Sequence, residues 1–305
     1  MARTRPAHSA LEQQLSYALC DVFTSRPLAG NQLAVVWEGE LLNEARMQAL
    51  ARELNLSETV YVFPAQEGGD ARLRLYSTVV EVPFAGHPIL GTAALLADRR
   101  DLHGEHLLRL ETARGIVPVT VQRTAPGRYT AWMDQPLPEI RDFDRAEELL
   151  GVLGVERALL PVQVYDAGIP HLYVMAETVE AVAQIVPNFP ELGRIAGNCR
   201  INVFAGQGDT FTTRMFSPFD FVPEDPACGS AAGPLAAHLV RHGIIDSGRE
   251  VTLSQGANVG RPSVLYAMAS VKDGRIGEIR VGGGVCLIGE GRLTLPPLAE
   301  PGSTG

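Results

Sequence analysis

Two stretches of this chain resemble each other, and a chain that repeats itself in this way is expected to fold as two similar halves. The first reads Arg74-Leu75-Tyr76-Ser77, then Glu81-Val82-Pro83-Phe84-Ala85-Gly86-His87 and a helical pattern. The second reads Arg214-Met215-Phe216-Ser217, then Glu224-Asp225-Pro226-Ala227-Cys228-Gly229-Ser230 and another helical pattern. Each is a strand, a loop, a glycine and a helix, with the second loop about three residues longer. Chance similarity between strand–turn–helix units is the competing reading. If the halves are real, the two glycine loops face each other across a cleft, a common place for a ligand site.

The rest of the pattern points to an α+β fold. Short apolar runs bounded by Gly, Pro, Asn or Ser recur, such as Val60-Tyr61-Val62-Phe63, Val117 to Val121, Val162 to Tyr165 and Val251-Thr252-Leu253. Helical spacing is rarer. It covers Asn43 to Leu54, with Asn43 as N-cap and Met47, Leu50, Ala51 and Leu54 on one face. It returns from Pro88 to about Arg99, and from Ala231 to Arg241 before His242-Gly243. At 305 residues, two domains are expected.

Composition excludes several classes of function. The net charge is −9, from 26 basic and 35 acidic residues, which argues against nucleic acid or an anionic membrane as the main partner. No apolar run approaches the ~20 residues that span a bilayer. Met1 to Gln14 is polar, carries Arg3 and Arg5 and lacks a signal-peptide core, so it reads as a frayed extension. Cys20, Cys199, Cys228 and Cys286 form no C-x-x-C pair, which points away from zinc and towards a reducing, cytoplasmic setting. Lys272 is the sole lysine and sits in the turn Lys272-Asp273-Gly274, a poor place for Schiff-base chemistry. Gly282-Gly283-Gly284 has no helix after it and is not a nucleotide loop. No metal or cofactor site is expected.

Side chains near the two glycine loops are the candidates for chemistry. First-turn N–H groups at Gly229, Ser230 and Ala231 can hold a carboxylate or an enolate oxygen, as can Gly86 and His87 from the other half. Alternatively these are plain helix-entry glycines. Glu58, in Asn55-Leu56-Ser57-Glu58-Thr59, lies between a helix and an apolar strand. Partial desolvation there would raise its pKa into the range of a general acid/base. On the residue alone, a helix-end acid is the simpler reading. His87 opens a helix, where a neutral imidazole is favoured, and is either a proton carrier or an N-cap. Either of the adjacent acids Glu224 and Asp225 can serve the helix dipole, act as a second acid/base or orient His87. Cys228 precedes a helix start, where a thiol pKa is expected to fall. Its counterpart in the other half is Ala85, so a two-thiol racemase mechanism is excluded.

Together these residues resemble the PhzF family of phenazine-biosynthesis isomerases, within the wider diaminopimelate epimerase-like fold. The motifs are Asp21-Val22-Phe23-Thr24-Ser25 with Gly30-Asn31, Ser57-Glu58-Thr59, Pro83-Phe84-Ala85-Gly86-His87-Pro88 and Met133-Asp134-Gln135-Pro136. Further along come Arg214-Met215-Phe216-Ser217-Pro218, Gly229-Ser230-Ala231-Ala232-Gly233-Pro234, Gln255-Gly256 and Gly260-Arg261-Pro262-Ser263. The resemblance spans roughly residues 17–295. It implies two lobes, each an antiparallel barrel-like sheet around a central helix. The expected layout is an extension over 1–16, lobe 1 over 17–135 completed by 280–295, lobe 2 over 136–279 and a flexible tail over 296–305. It also implies a homodimer acting on a small polar, amino-acid-like substrate without a cofactor: trans-2,3-dihydro-3-hydroxyanthranilate becomes a cyclohexenone amino acid. The acid/base glutamate falls on Glu58, with His87 and Asp225 beside it. Ser57, Gly86, Cys228, Gly229 and Ser230 line the substrate, and Cys228 stands where phenazine-pathway members carry Thr. Two other readings compete: the same fold acting on another diene or amino acid, such as an alkylproline-pathway intermediate, and a binding protein that has lost catalysis.

Overall fold

A computed structural model describes residues 13–220, 222–273 and 275–296. The first half contains β1 (Gln13–Val22), β2 (Asn31–Val36), α1 (Glu44–Leu54), β3 (Glu58–Phe63), β4 (Ala71–Ser77), β5 (Glu81–Val82), α2 (Gly86–Arg99), β6 (Glu105–Thr112), β7 (Gly115–Ala125) and β8 (Arg128–Asp134). The second contains β9 (Glu139–Asp142), α3 (Ala146–Leu153), β10 (Gln163–Asp166), β11 (Pro170–Met175), α4 (Val179–Gln184) and α5 (Phe189–Ala196). It continues with β12 (Arg200–Gln207), β13 (Thr210–Ser217), β14 (Val222–Asp225), α6 (Gly229–Arg241), β15 (Glu250–Gln255), β16 (Ser263–Lys272) and β17 (Arg275–Leu295).

Lobe 1 is a closed barrel of eight strands in the order β1-β2-β3-β4-β6-β7-β8-β17, with β17 returning to β1. Lobe 2 runs β9-β10-β11-β12-β13-β15-β16-β17. Most pairings are antiparallel. The parallel ones are β2–β3 and β4–β6 in lobe 1, and β11–β12 and β13–β15 in lobe 2. A parallel neighbour needs a long crossover, usually helical. Here α1 and α2 make the crossovers of lobe 1; the α4–α5 pair and α6 make those of lobe 2. The duplication is therefore visible in the wiring.

It is also visible in the side chains. Arg74 grips Glu81 with two hydrogen bonds (2.7 and 2.6 Å), and Arg214 grips Glu224 with two (3.1 and 2.7 Å). Each guanidinium lies over the aromatic ring two residues on, Tyr76 at 5.5 Å and Phe216 at 4.9 Å.

Both central helices are buried on nearly every face, Gly86 to Ala97 in α2 and most of Gly229 to Leu239 in α6. A helix apolar all round has to be enclosed, and the strands of each lobe supply the enclosure. Helix α1 instead lies outside its barrel, burying Met47, Leu50 and Ala51 against Val36, Tyr61 and Tyr76. The Asn43 side chain accepts from Arg46 N at 3.0 Å, the expected N-cap. The sequence pattern did not show α3, α4 and α5. They are short, and Leu149, Leu153, Val182, Leu192 and Ile195 bury them on the outer face of lobe 2.

One correction concerns the N-terminal extension, expected over 1–16. Gln13 to Ser16 belong to β1, paired with Leu295 to Arg292 of β17. Gln13, Gln14 and Ser16 are polar because that strand end is partly open to solvent, while Leu15 between them is buried against Val36 and Tyr61; one apolar residue is too little to mark a strand in sequence. The boundary expected at 279/280 falls inside β17, a single strand that pairs with β16, β8 and β1 in turn. Gly282, Gly283 and Gly284 lie where it crosses between lobes. A Cβ there would stand 2.2 Å from Trp132, 2.6 Å from the Phe23 ring and 2.5 Å from the Thr24 carbonyl oxygen. The triple glycine therefore lets β17 pack closely on lobe 1 at the crossing. Residues 1–12 and 297–305, most of the expected extension and tail, lie outside the described residues.

Candidate active site

The N-termini of α2 and α6 meet between the lobes. A Cβ on Gly86 would lie 3.1 Å from Gly229 Cα and from Ser230 N, and one on Gly229 would lie 2.9 Å from the Phe23 ring. The pair of glycines lets two helix ends approach head to head. Both ends carry unpaired N–H groups and the positive pole of the helix dipole. Like poles meeting in this way favour an anion between them. Phe23 holds its ring there from a left-handed backbone (φ 64°), an energetically unfavourable conformation for a non-glycine residue.

Glu58 is placed by the end of α1. Asn55 caps that helix in the left-handed conformation (φ 50°), where Asn is tolerated, and turns the chain so that Glu58 opens β3. Its Oε2 lies 3.4 Å from His87 Nε2. Both atoms are buried and neither has a hydrogen-bond partner in the protein, so a polar ligand group at this point would satisfy both. Burial, reinforced by the charges of Asp225 and Asp220 and opposed by Arg200, pushes the Glu58 carboxyl up to about 8. Burial pulls His87 down to about 3, opposed by a hydrogen bond to the Gln32 backbone. At neutral pH the pair is a largely protonated carboxyl beside a neutral imidazole. A group with its pKa near ambient pH can both take and return a proton.

Asp225 comes from the other lobe, at the end of β14. Its Oδ1 accepts from Asn31 Nδ2 and from Ala227 N, each at 2.9 Å. Burial raises it to about 6, with the Ala227 N–H acting the other way. Asn31 also donates to the Ala227 carbonyl at 3.0 Å and accepts from Ser57 Oγ at 3.3 Å. It thus links the residue before Glu58 to Asp225 across the cleft. The neighbouring acid, Glu224, turns the other way into its buried pair with Arg214 and is structural.

Cys228 is the N-cap of α6, as Ala85 is of α2. Its thiol, expected to be acidified by the helix start, is instead pushed up to about 12, because burial outweighs the dipole and the Asp225 charge adds to it. It is a packed thiol, 3.4 Å from Ser230 Oγ. Ser230 also meets His171 Nε2 at 3.0 Å, and Asn202 Nδ2 lies 3.3 Å from His171 Nδ1.

The site residues expected from sequence thus converge: Ser57, Glu58, Gly86 and His87 from lobe 1, Asp225, Cys228, Gly229 and Ser230 from lobe 2. Sequence reasoning missed their supports. Asn31 bridges the lobes, Gln135 Nε2 donates to the Gly229 carbonyl at 2.8 Å, and Gln255 Nε2 donates to the Asp225 carbonyl at 2.8 Å. All three stand in motifs of the family resemblance, which was the available signal. His171 and Arg200 lie in no such motif.

An eight-stranded barrel and a second sheet of matching wiring, meeting at two helix ends, define the diaminopimelate epimerase-like class of fold. A hydroxyproline epimerase from Agrobacterium vitis shares this fold at 12% identity and a TM-score of 0.58, over 95% of this chain and 94% of its own. Within that class the chain belongs to the PhzC-PhzF family of phenazine biosynthesis-like proteins, matched over residues 20–291. It is 41% identical to the trans-2,3-dihydro-3-hydroxyanthranilate isomerase of Pseudomonas aeruginosa, over 92% of this chain and 99% of that one. The Bacillus anthracis PhzF-family protein shares the fold with a TM-score of 0.81 at 24% identity, over 92% of this chain and 99% of its own.

Proposed function

We propose that this protein isomerises trans-2,3-dihydro-3-hydroxyanthranilate to a cyclohexenone amino acid in phenazine biosynthesis, with Glu58 carrying the proton. The observation that carries this reading is the Glu58 carboxyl, raised to about 8 at the mouth of two facing helix ends. The substrate carboxylate binds the first-turn N–H groups at Gly229 and Ser230, where both dipoles favour negative charge. Ionised Glu58 takes the C3 proton, the electron pair spreads into the conjugated system, and the resulting carboxylic acid returns a proton at C1; the enol so formed becomes the ketone by losing its hydroxyl proton and gaining one at C4. Asp225 and His87 receive the amine and the ring's polar edge. The 41% identity to a curated isomerase of this substrate supports the choice.

The test is proton exchange in deuterated water. Wild-type protein is expected to introduce deuterium at C1 of the product, and Glu58→Gln to bind substrate with turnover down about 10³-fold. Normal turnover by that variant would sink the mechanism. Running other diene amino acids in the same assay separates this substrate from an alkylproline-type intermediate, and binding without exchange identifies a silent binder. A homodimer, supported by the family resemblance, is part of the proposal and is tested by light scattering. So is a cytoplasmic setting, supported by four buried free thiols. Among the described residues no helix is long and apolar enough to cross a membrane.

A further inference from the structure

The duplication gives Glu58 a counterpart in the second lobe. Glu58 opens β3, beside Leu33 of the parallel neighbour β2, and pairs with Ser77 of β4. Arg200 opens β12, beside His171 of the parallel neighbour β11. The next residue, Ile201, pairs with Phe216, so Arg200 stands by Ser217, the counterpart of Ser77. The position that holds a carboxylate in lobe 1 therefore holds a guanidinium in lobe 2.

That guanidinium is fixed in place. Its Nη2 donates to Asp220 Oδ1 at 2.8 Å, its Nε lies 2.7 Å from Asp220 Oδ2, and the Ser217 hydroxyl donates to the same carboxylate. Nη1 makes one long contact, to the Asn198 carbonyl at 3.5 Å. Asp220 lies between β13 and β14, in the loop that is longer than its lobe 1 counterpart, so the extra length supplies the partner. Phe219, in the same loop, places its ring 5.9 Å from the guanidinium. The pair is partly buried, at 17% and 34% side-chain exposure, where a charge is less screened than at the open surface. Its strand neighbour His171 meets Ser230 in the first turn of α6 at 3.0 Å, which sets Arg200 on the lobe 2 side of the cleft. Facing it, Glu58 lies 3.4 Å from His87 of α2; the Arg200 charge favours the Glu58 carboxylate, and the charges of Asp220 and of Asp225 from β14 oppose it.

We propose that Arg200, held by Asp220, is a positioning residue of the acid/base site, a fixed positive charge on the lobe 2 side of the cleft. It stabilises the Glu58 carboxylate before proton transfer, and then the substrate anion left when the C–H electron pair stays behind and the proton moves to Glu58. The second role rests on the substrate reading above; the first does not.

The experiment titrates Glu58 by carbon-13 NMR in the free protein, with its signal assigned by Glu58→Gln, and measures the pH profile of kcat/KM. Arg200→Met is expected to raise the Glu58 midpoint by about half a pH unit or more, and Arg200→Lys to restore most of it. Asp220→Asn is expected to lower it. Turnover by Arg200→Met should fall about 10-fold in kcat with KM little changed. A Glu58 midpoint unmoved in Arg200→Met and Asp220→Asn, or equal in the Met and Lys variants, overturns the proposal. If the midpoints move as expected but wild-type protein does not turn over the substrate, the substrate assignment fails and the role of Arg200 at Glu58 stands.

Discussion

Burying the Glu58 carboxyl costs stability. The group has a pKa of about 8 in the folded protein against 4.5 as the ordinary value. The native state therefore holds a proton that the unfolded chain releases between those values, and stability falls as pH rises from 4.5 to 8. Above that range the cost is fully present. Glu58→Gln has no such proton to lose. Its stability relative to wild type is expected to rise by on the order of 4 kcal/mol between pH 5 and pH 9. Urea unfolding at the two pH values measures this, and an equal difference at both would mean that the carboxyl is not held neutral. The same burial argument overturned the expected acidity of Cys228. A helix start is legible in sequence, but the number of atoms packed around a thiol is not.

At the scale of elements, the twin Arg–Glu pairs show what duplication preserves and what it lets drift. Arg214 and Glu224 are each 7% exposed, and Arg214 Nη1 also donates to the carbonyls of Val182 and Ile185, tying β13 to α4. Arg74 and Glu81 are 19% and 38% exposed. Glu224→Ala leaves a buried guanidinium unpaired and is expected to cost about 3–5 kcal/mol. Glu81→Ala is expected to cost about 1 kcal/mol, since water can replace its partner. Denaturant melts of the two variants check the difference, and equal losses would contradict it. In sequence the two motifs look alike, Arg-x-x-Ser followed by Glu. Which pair is buried depends on α4, a six-residue helix too short to show an amphipathic period.

For the whole molecule, three histidines are enclosed in neutral form. Burial holds His87, His171 and His238 at about 3, against 6.5 for an exposed imidazole. His238 stacks on Tyr173 at 5.7 Å and meets the Tyr165 hydroxyl at 3.1 Å inside lobe 2. Each depressed pKa contributes stability that is complete above 6.5 and is lost as pH falls towards 3. Glu58 and Asp225 act in the opposite direction until they are protonated in the unfolded chain too, near 4.5 and 3.8. Stability is therefore expected to decline gently from pH 6.5 to about 4.5 and steeply below, approaching about 4 kcal/mol per pH unit from three protons. His238→Phe should flatten the acid limb by about one proton. Urea melts across this range give the slopes, and an unchanged limb in that variant would show that His238 is already charged.

By itself the sequence determined the duplication, the two glycine helix starts and the short list of side chains that could move a proton. These are local properties: residue spacing sets which face a side chain takes, and a glycine before a helix marks a place where backbone can come close. The tertiary structure alone decided how those pieces act together. It selected Asp225 over Glu224 for the cleft, because Arg214 lies behind one and Asn31 reaches across to the other. It wove β17 through both lobes, and it set Arg200 where lobe 1 has Glu58. Above all it made Glu58 a group that titrates near neutrality, since a carboxyl takes its pKa from the water it has lost and the charges around it, and those come from strands far apart in the chain.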